Sequence, residues 1–502
     1  MASIFRLGGA GFIIKPLGSD CVTIIAGALY HRRLVHTIHR KMFDVVVIGA
    51  GPVGENVADR ASQGGLKVAI VENELIGGEC SYWACMPSKG LLRSGIALRA
   101  AEHVAGPITN GISAQKVLDR RNEIVGNWSD KGQESWLNSA GIELIRGRAE
   151  IVGVKHVRVG SKDITVNHAV VVATGSDAMI PPIPGIQNVS PWTNRQATGS
   201  QKVPESLVIV GGGVVACEMA TAWSTLGSKV ILTSRSTLLE HMEPFAGEMI
   251  VESLKNLGVD VRLGISPTSV SRDGNVTVKF DDGSTVTATE ILIATGRKPR
   301  SHNIGLEQFG ISGWIPVDET LLVKNPTNDR EPWLYATGDI NHRALLTHQG
   351  KYQARAAGDV IVARAKGGKL STEPWGYHVA TADNECVTQV IFTDPEVASV
   401  GLTESAAKKK GYNIRVVEYD IGSVAGAYVH ADGYKGKAKA IVDEDRHVLL
   451  GVTFVGPDVA ELLHSATIAV VGQVPIQRLW HAVPAFPTIS EIWLRLLETY
   501  GR

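Results

Sequence analysis

Cys80 and Cys85, in the run IGGECSYWACMPSKGLL, are the one local pair of cysteines in a chain of 502 residues. With four residues between them and the helical run SKGLLRSGIALRAAEHV after them, they can reach disulfide geometry if the first helical turn is distorted. The N-terminus of that helix would stabilise a thiolate, each pKa unit being worth about 1.4 kcal/mol. The other cysteines, Cys21, Cys217 and Cys386, stand far apart, and five in so long a chain make no secreted disulfide framework. The pair therefore reads as a redox centre in a reducing compartment, with two buried free cysteines as the plain structural alternative. No metal is expected, because no Cys or His cluster completes a ligand set.

The thiols lie between two segments of one recurring shape. FDVVVIGAGPVGENVADRASQGGLKVAIVE reads strand, glycine turn, helix, strand, with Gly49, Gly51 and Gly54 spaced G-x-G-x-x-G. Such glycines allow a tight turn and bring main-chain N–H groups at a helix start against a pyrophosphate. Glu72 ends the second strand, where a carboxylate accepts a ribose hydroxyl. SLVIVGGGVVACEMATAWSTLGSKVILTSRS repeats the pattern with Gly211, Gly213 and Ala216. Its second strand ends in Thr233, Ser234 and Arg235 in place of an acid. A carboxylate would repel a 2′-phosphate and Arg235 would bind one, so the sequence favours NADPH over NADH; a solvated surface charge is the alternative reading of Arg235.

The length implies about three domains. Lys plus Arg and Asp plus Glu number 50 each, so no net field points to nucleic acid or to an anionic membrane, and neither partner is expected. Up to Lys41 the chain is basic and acid-poor, and its apolar stretch CVTIIAGALY is too short to span a bilayer. Two readings fit residues 1–42: a targeting segment, or an extension upstream of a natural start at Met42. The expected location is cytoplasmic, or the mitochondrial matrix if the segment is a transit peptide.

In its ordered motifs the chain resembles the class I flavin-dependent disulfide reductases, which include dihydrolipoamide dehydrogenase, glutathione reductase and mercuric reductase. The resemblance runs from Phe43 to Glu498. It takes in the paired cysteines with PSK, the ATG segments at Ala173 to Gly175 and Ala294 to Gly296, LYATGDI around Asp339, and IFTDPEVASVGLTE from Ile391 to Glu404. It implies an α/β fold with two Rossmann-like domains, the first for FAD and an inserted second for NAD(P), and a C-terminal α+β domain that forms a homodimer. The boundaries it implies are 43–195 with 300–370 for the FAD domain and central segment, 196–299 for the NAD(P) domain and 380–502 for dimerisation. Cys80 would face a small-molecule substrate and Cys85 the flavin, Lys89 and Glu218 would pair beside the flavin edge, and Asp339 would bind the ribityl chain. His348 falls where some relatives approach the flavin ring, although a histidine satisfied by backbone at a helix start is the better reading.

One departure bears directly on activity. The family frame His-Pro-Thr-x-x-Glu, whose histidine shuttles protons, reads here Phe486, Pro487, Thr488, Ile489, Ser490, Glu491. Phenylalanine accepts no proton, and a missing general base costs about two to four powers of ten in rate. Ordinary lipoamide or glutathione disulfide turnover should therefore be slow, and His481 is not placed by the motif to take over. Glu79 stands for the usual threonine, and Ser81, Tyr82, Trp83 and Ala84 bring aromatic bulk expected to reshape the surroundings of the thiols. No cysteine follows Cys386, so the paired C-terminal thiols of mercuric reductase are absent. A ketone-carboxylating, carbon-sulfur cleaving branch also has phenylalanine at the histidine position but lacks the glutamate kept here. The expected function is electron transfer from NAD(P)H through FAD to the Cys80–Cys85 disulfide and on to a disulfide or other electrophile. Carbon-sulfur cleavage and a flavin-binding scaffold are the alternatives.

Overall fold

The computed structural model describes residues 41–324 and 331–501. Cys21 and most of the basic N-terminal segment lie outside the described residues; Lys41 and Met42 open the first strand. That segment is followed by β1 (Lys41–Ile48), α1 (Pro52–Gln63), β2 (Val68–Glu72), α2 (Gly78–Tyr82) and α3 (Cys85–Glu102). Val45, Val46 and Val47 are wholly buried because β1 runs parallel to β2 on one side and to Lys162–Val172 on the other. A parallel strand covered on both faces needs a continuous apolar run, and DVVVI supplies it. Pro52 opens α1, where its missing N–H costs nothing.

The first sheet has seven strands. Lys162–Val172 leaves it at the ATG segment, and Leu334–Ala336 returns to pair in parallel with the same strand. Between those two strands the chain builds a second sheet, all parallel, in the order Asp260–Leu263, Lys229–Ser234, Ser206–Val210, Glu290–Ile293. The second dinucleotide unit is thus an insertion in the first. Its helix, Val214–Thr225, is buried on nearly every side, with Ala216, Cys217, Met219, Ala220, Ala222 and Trp223 in the core. Cys217 is therefore a packing residue, and burial pushes its thiol up.

From Thr388 onward a five-stranded antiparallel sheet carries the helices Val459–Val471 and Ile492–Tyr500, an α+β unit with its own core. Cys386 is buried at the edge of that core. The fold is α/β, with two Rossmann-like units followed by this α+β unit. No helix among the described residues is long and apolar enough to cross a membrane.

The helix Thr347–Ala365 positions the active region from the other side. It lies along α1 at a distance only glycine permits: a Cβ on Gly350 would sit 2.6 Å from Val53 Cγ2, and one on Gly358 would sit 2.6 Å from Arg60 Cβ. Arg60 and Asp359 pair across the same contact. The start of the helix is thereby fixed against the cysteine segment.

Candidate active site

The two fingerprints repeat each other in atomic detail. Gly49 has φ +100° and Gly211 φ +137°, and a Cβ on either would lie 2.5 or 2.2 Å from the carbonyl oxygen of Ala173 or Ala294. Those alanines open the two ATG segments, so each fingerprint turn closes on its own ATG strand end. A Cβ on Gly54 would fall 1.9 Å from the Gly49 oxygen. Gly51 and Gly213 differ in kind, because a side chain on either would meet nothing within 4 Å. Neither following helix has a side-chain cap, so the first-turn N–H groups are open. Open N–H groups under a space that a Cβ would fill fit a pyrophosphate at both helix starts. Glu72 accepts from the Ala50 N–H at 2.8 Å and from Asn73 and Glu74 N–H at 2.9 and 2.8 Å, which fixes it at the rim of the first turn. Oε1 takes both of the latter, so Oε2 keeps a second lone pair for a ligand hydroxyl.

Cys80 lies in α2 and Cys85 begins α3, both partly buried and both thiols. The two thiols shift each other's ionisation. Thr347 Oγ1 stands 3.4 Å from Cys85 Sγ. The thiol–thiol interaction acts oppositely on its partners. Interaction with Cys80 draws the Cys85 thiol down; burial opposes this, Thr347 and the Lys89 charge assist, and Glu218 works against them. Cys80 is pushed up, by interaction with Cys85 first and then by burial. Of the two, Cys85 is the thiol whose ionisation is favoured.

Lys89, one helical turn into α3, meets Glu218 of the second fingerprint helix at 3.0 and 2.9 Å. Glu218 is buried, and its Oε1 also accepts the Phe392 N–H at 3.0 Å. The Lys89 ammonium stands 4.7 Å from the centre of the Phe392 ring. Asp339, in the turn Gly338–Asn341, accepts from Ser176 Oγ at 2.5 Å and lies 3.8 Å from Arg297 Nε. Arg235 is exposed just past the strand Lys229–Ser234 and makes no hydrogen bond or ion pair among the described residues.

Glu79 is the centre of a network that sequence reasoning missed. Its carboxylate accepts from Arg195 Nε at 2.5 Å, Arg300 Nη2 at 2.9 Å and Asn194 Nδ2 at 2.8 Å. Arg195 also forks onto Glu74 at 3.0 and 2.8 Å and lies 4.1 Å from the Trp83 ring centre. The aromatic bulk between the cysteines is therefore held from the inner side: Trp83 under Arg195, and Tyr82 buried with its hydroxyl donating to the Ser129 carbonyl at 3.4 Å. Thr347 was also missed; its signal was a hydroxyl at the start of the helix that follows LYATGDI.

At the C-terminus Phe486 is 76% exposed on the α+β unit. Glu491 is buried, and its Oε1 accepts the N–H groups of Gly426 at 3.0 Å and Thr488 at 3.2 Å. With Thr488 it forms a capping box at the turn that begins the last helix. Glu491 thus has a structural task that does not need a histidine. His348 Nε2 meets the Thr388 carbonyl at 2.8 Å, and His481 is exposed.

Two dinucleotide folds converging on a thiol pair define a flavoprotein oxidoreductase of the two-nucleotide kind. Comparison with known families narrows this: residues 43–360 match the pyridine nucleotide-disulphide oxidoreductases, and 387–496 match the dimerisation domain of the same family. The chain belongs to that family. Its members bind FAD and a pyridine nucleotide and act on sulfur groups, so this protein is an NAD(P)H-dependent flavoprotein disulfide oxidoreductase. Similar proteins include a dihydrolipoyl dehydrogenase of Thermus scotoductus, 31% identical over 475 residues, covering 90% of this chain and 96% of that one. A mercuric reductase of Staphylococcus aureus is 29% identical over 464 residues, covering 89% and 81%. Among solved structures, the HOCl-induced flavoprotein disulfide reductase RclA from Escherichia coli superposes with a TM-score of 0.76 at 25% identity, over 91% of this chain and 99% of that one.

The fingerprint geometry separates two glycines that look alike in sequence. Gly54→Ala drives a methyl into the Gly49 carbonyl and should cost about 1–3 kcal/mol or prevent folding. Gly51→Ala should leave the melting temperature of the ligand-free protein unchanged and weaken only dinucleotide retention. Thermal melts with and without bound nucleotide check both; equal losses in the ligand-free state would contradict the assignment of Gly51 to the ligand face.

Proposed function

We propose that the first fingerprint, with Glu72 and Asp339, holds FAD, that the second, with Gly211, Gly213, Ala216 and Arg235, holds NADPH, and that Cys85 and Cys80 pass electrons from the flavin to substrate in that order. The domain boundaries implied by the resemblance are kept in this reading, as is a two-fold dimer through the C-terminal unit. The observation that carries it is the setting of Cys85 at the start of α3, with Thr347 Oγ1 3.4 Å from its Sγ and the Lys89–Glu218 pair one turn along the same helix. That setting favours a thiolate at Cys85 over one at Cys80.

The bound flavin supplies hydride acceptance from the nicotinamide and delivery of two electrons to the disulfide. Lys89 keeps a positive charge beside Cys85, and Glu218 holds Lys89 in place. Thr347 Oγ1 lies 3.4 Å from Cys85 Sγ, while Asp339 and Ser176 offer a carboxylate and a hydroxyl to a polyol chain. Phe486 brings no base, which supports slow turnover of lipoamide and glutathione disulfide and an acceptor whose chemistry needs no imidazole.

Serine variants test the order of the thiols. Cys85→Ser should abolish thiolate-to-flavin charge-transfer absorbance while FAD stays bound. Cys80→Ser should leave a Cys85 thiolate facing oxidised flavin and show that absorbance without reductant. Identical spectra from the two variants would overturn the order.

Arg235 tests the coenzyme. A charge-assisted contact to the 2′-phosphate is worth about 1.5–3 kcal/mol, roughly tenfold to a hundredfold in discrimination. NADPH should outperform NADH by that factor, and Arg235→Glu should reverse the preference. Equal kcat/KM values for the two coenzymes with the unmodified protein would contradict the assignment.

A further inference from the structure

Glu79 precedes Cys80, and its side chain ties the cysteine segment to both connectors of the inserted unit. The chain runs into that unit through Ser176–Ala178 and the short helix Asn194–Gly199, and leaves it through Arg297–Pro299, which pairs antiparallel with Ser176–Ala178. Arg195 and Asn194 on the way in and Arg300 on the way out all donate to the Glu79 carboxylate, at 2.5, 2.8 and 2.9 Å. Each arginine also keeps an acid of its own: Arg195 forks onto Glu74, and Arg300 Nε donates to Asp177 Oδ1 at 2.6 Å. Neither cation therefore depends on Glu79 for a counterion. What Glu79 adds is a bond from both connectors to the residue before Cys80.

The same short helix holds the far end of the loop. Asn194 Nδ2 donates to the Trp83 carbonyl at 2.8 Å as well as to Glu79, and Thr198 Oγ1 donates to that carbonyl at 3.1 Å. Trp83 closes α2 and Ala84 precedes α3, so a carbonyl left open at a helix end is captured from outside the loop. Trp128 Nε1 donates to the Tyr82 carbonyl at 3.3 Å in the same way. The capturing helix is itself fixed, because Asn194 and Thr198 are buried and the buried Arg121 donates to the carbonyls of Thr198 and Ser200. One amide, Asn194, thus straps the side chain before Cys80 to the carbonyl two residues before Cys85.

Two sulfurs held in one place close a disulfide as an intramolecular reaction, favoured in proportion to the time the dithiol spends in disulfide geometry. A looser loop gives the dithiol conformational entropy and raises the reduction potential of the pair. We infer that Glu79 and Asn194 are positioning residues for Cys80 and Cys85: by strapping the loop to the connectors of the inserted unit, they pre-organise the two sulfurs and hold the reduction potential of the disulfide low. The inference rests on the reading of the two thiols as a redox pair.

The test equilibrates FAD-loaded enzyme, without oxygen, in dithiothreitol buffers of graded thiol-to-disulfide ratio, then quenches in acid, alkylates and reads the two-thiol step by mass. Dithiothreitol gives up two electrons and two hydrogens and becomes its cyclic disulfide; the pair takes them as its S–S bond breaks. Glu79→Ala and Asn194→Ala should each lower the equilibrium constant for closing the disulfide about tenfold, a rise of about 30 mV for a two-electron couple. Loss of a nearby carboxylate charge also favours a thiolate, so Asn194→Ala, which changes no charge, separates the strap from the field. Where Asn194→Ala does not fold, Glu79→Gln makes the same separation. It loses the charge but keeps the length and one acceptor oxygen, so it should shift the potential less than Glu79→Ala. Glu74→Ala removes a charge from the network without releasing the loop and should leave the potential where it was. The inference is overturned, with the redox pair left standing, by an unmoved potential in either folded alanine variant at 79 or 194. Equal shifts from Glu79→Ala and Glu79→Gln, or a shift from Glu74→Ala as large as that from Glu79→Ala, overturn it too. An unmodified enzyme with no two-thiol step removes both the inference and the reading beneath it.

Discussion

Glu218 is the carboxylate at which the parts of this molecule meet. It belongs to the helix of the inserted dinucleotide unit, it pairs with Lys89 on the cysteine helix of the first unit, and it accepts the Phe392 N–H from the start of the C-terminal unit. A buried carboxylate is tolerated only when its charge and lone pairs are matched, so removing any of these partners leaves an uncompensated charge inside the protein. The same pair adds to the field at Cys85, whose thiol Cys80 lowers most: Lys89 assists and Glu218 works against it. Assembly of the three units and the electrostatics of the thiol pair thus share one contact.

The second constraint is geometric. Each fingerprint turn is pressed against the carbonyl of its ATG segment, so the pyrophosphate cradle and the strand end that faces it form one rigid corner. The α1 contact with the helix Thr347–Ala365, closed through Gly350 and Gly358, fixes Thr347 at Cys85. The Glu79 network holds the other flank of the cysteine segment by charge, through two arginines that lie far along the chain. Substituting a carboxylate for the family's threonine works because Arg195, Arg300 and Asn194 receive it.

What the sequence made legible was local. The two strand-glycine-helix-strand runs and the cysteine pair could be read because each is encoded within some thirty residues, with spacing that has a mechanical reason, whereas the insertion of one unit in the other came only from the family resemblance. The partners of Glu79 could not, since Arg195 and Arg300 are separated from it by 116 and 221 positions and nothing in either neighbourhood marks an arginine as a carboxylate's counterion. Glu491 was legible only as part of a motif. In the fold its carboxylate caps the last helix and binds Gly426, a reason to keep it that does not involve the residue at 486.

The central claim is that the Cys80–Cys85 disulfide stores electrons delivered through the flavin. Anaerobic titration of the oxidised, FAD-loaded protein with dithionite measures that capacity. The account predicts roughly four electrons per flavin, two for the ring and two for the disulfide, with thiolate-to-flavin absorbance rising at the midpoint. Complete bleaching after about two electrons, with no such absorbance, would show that the thiols take no part and would contradict it.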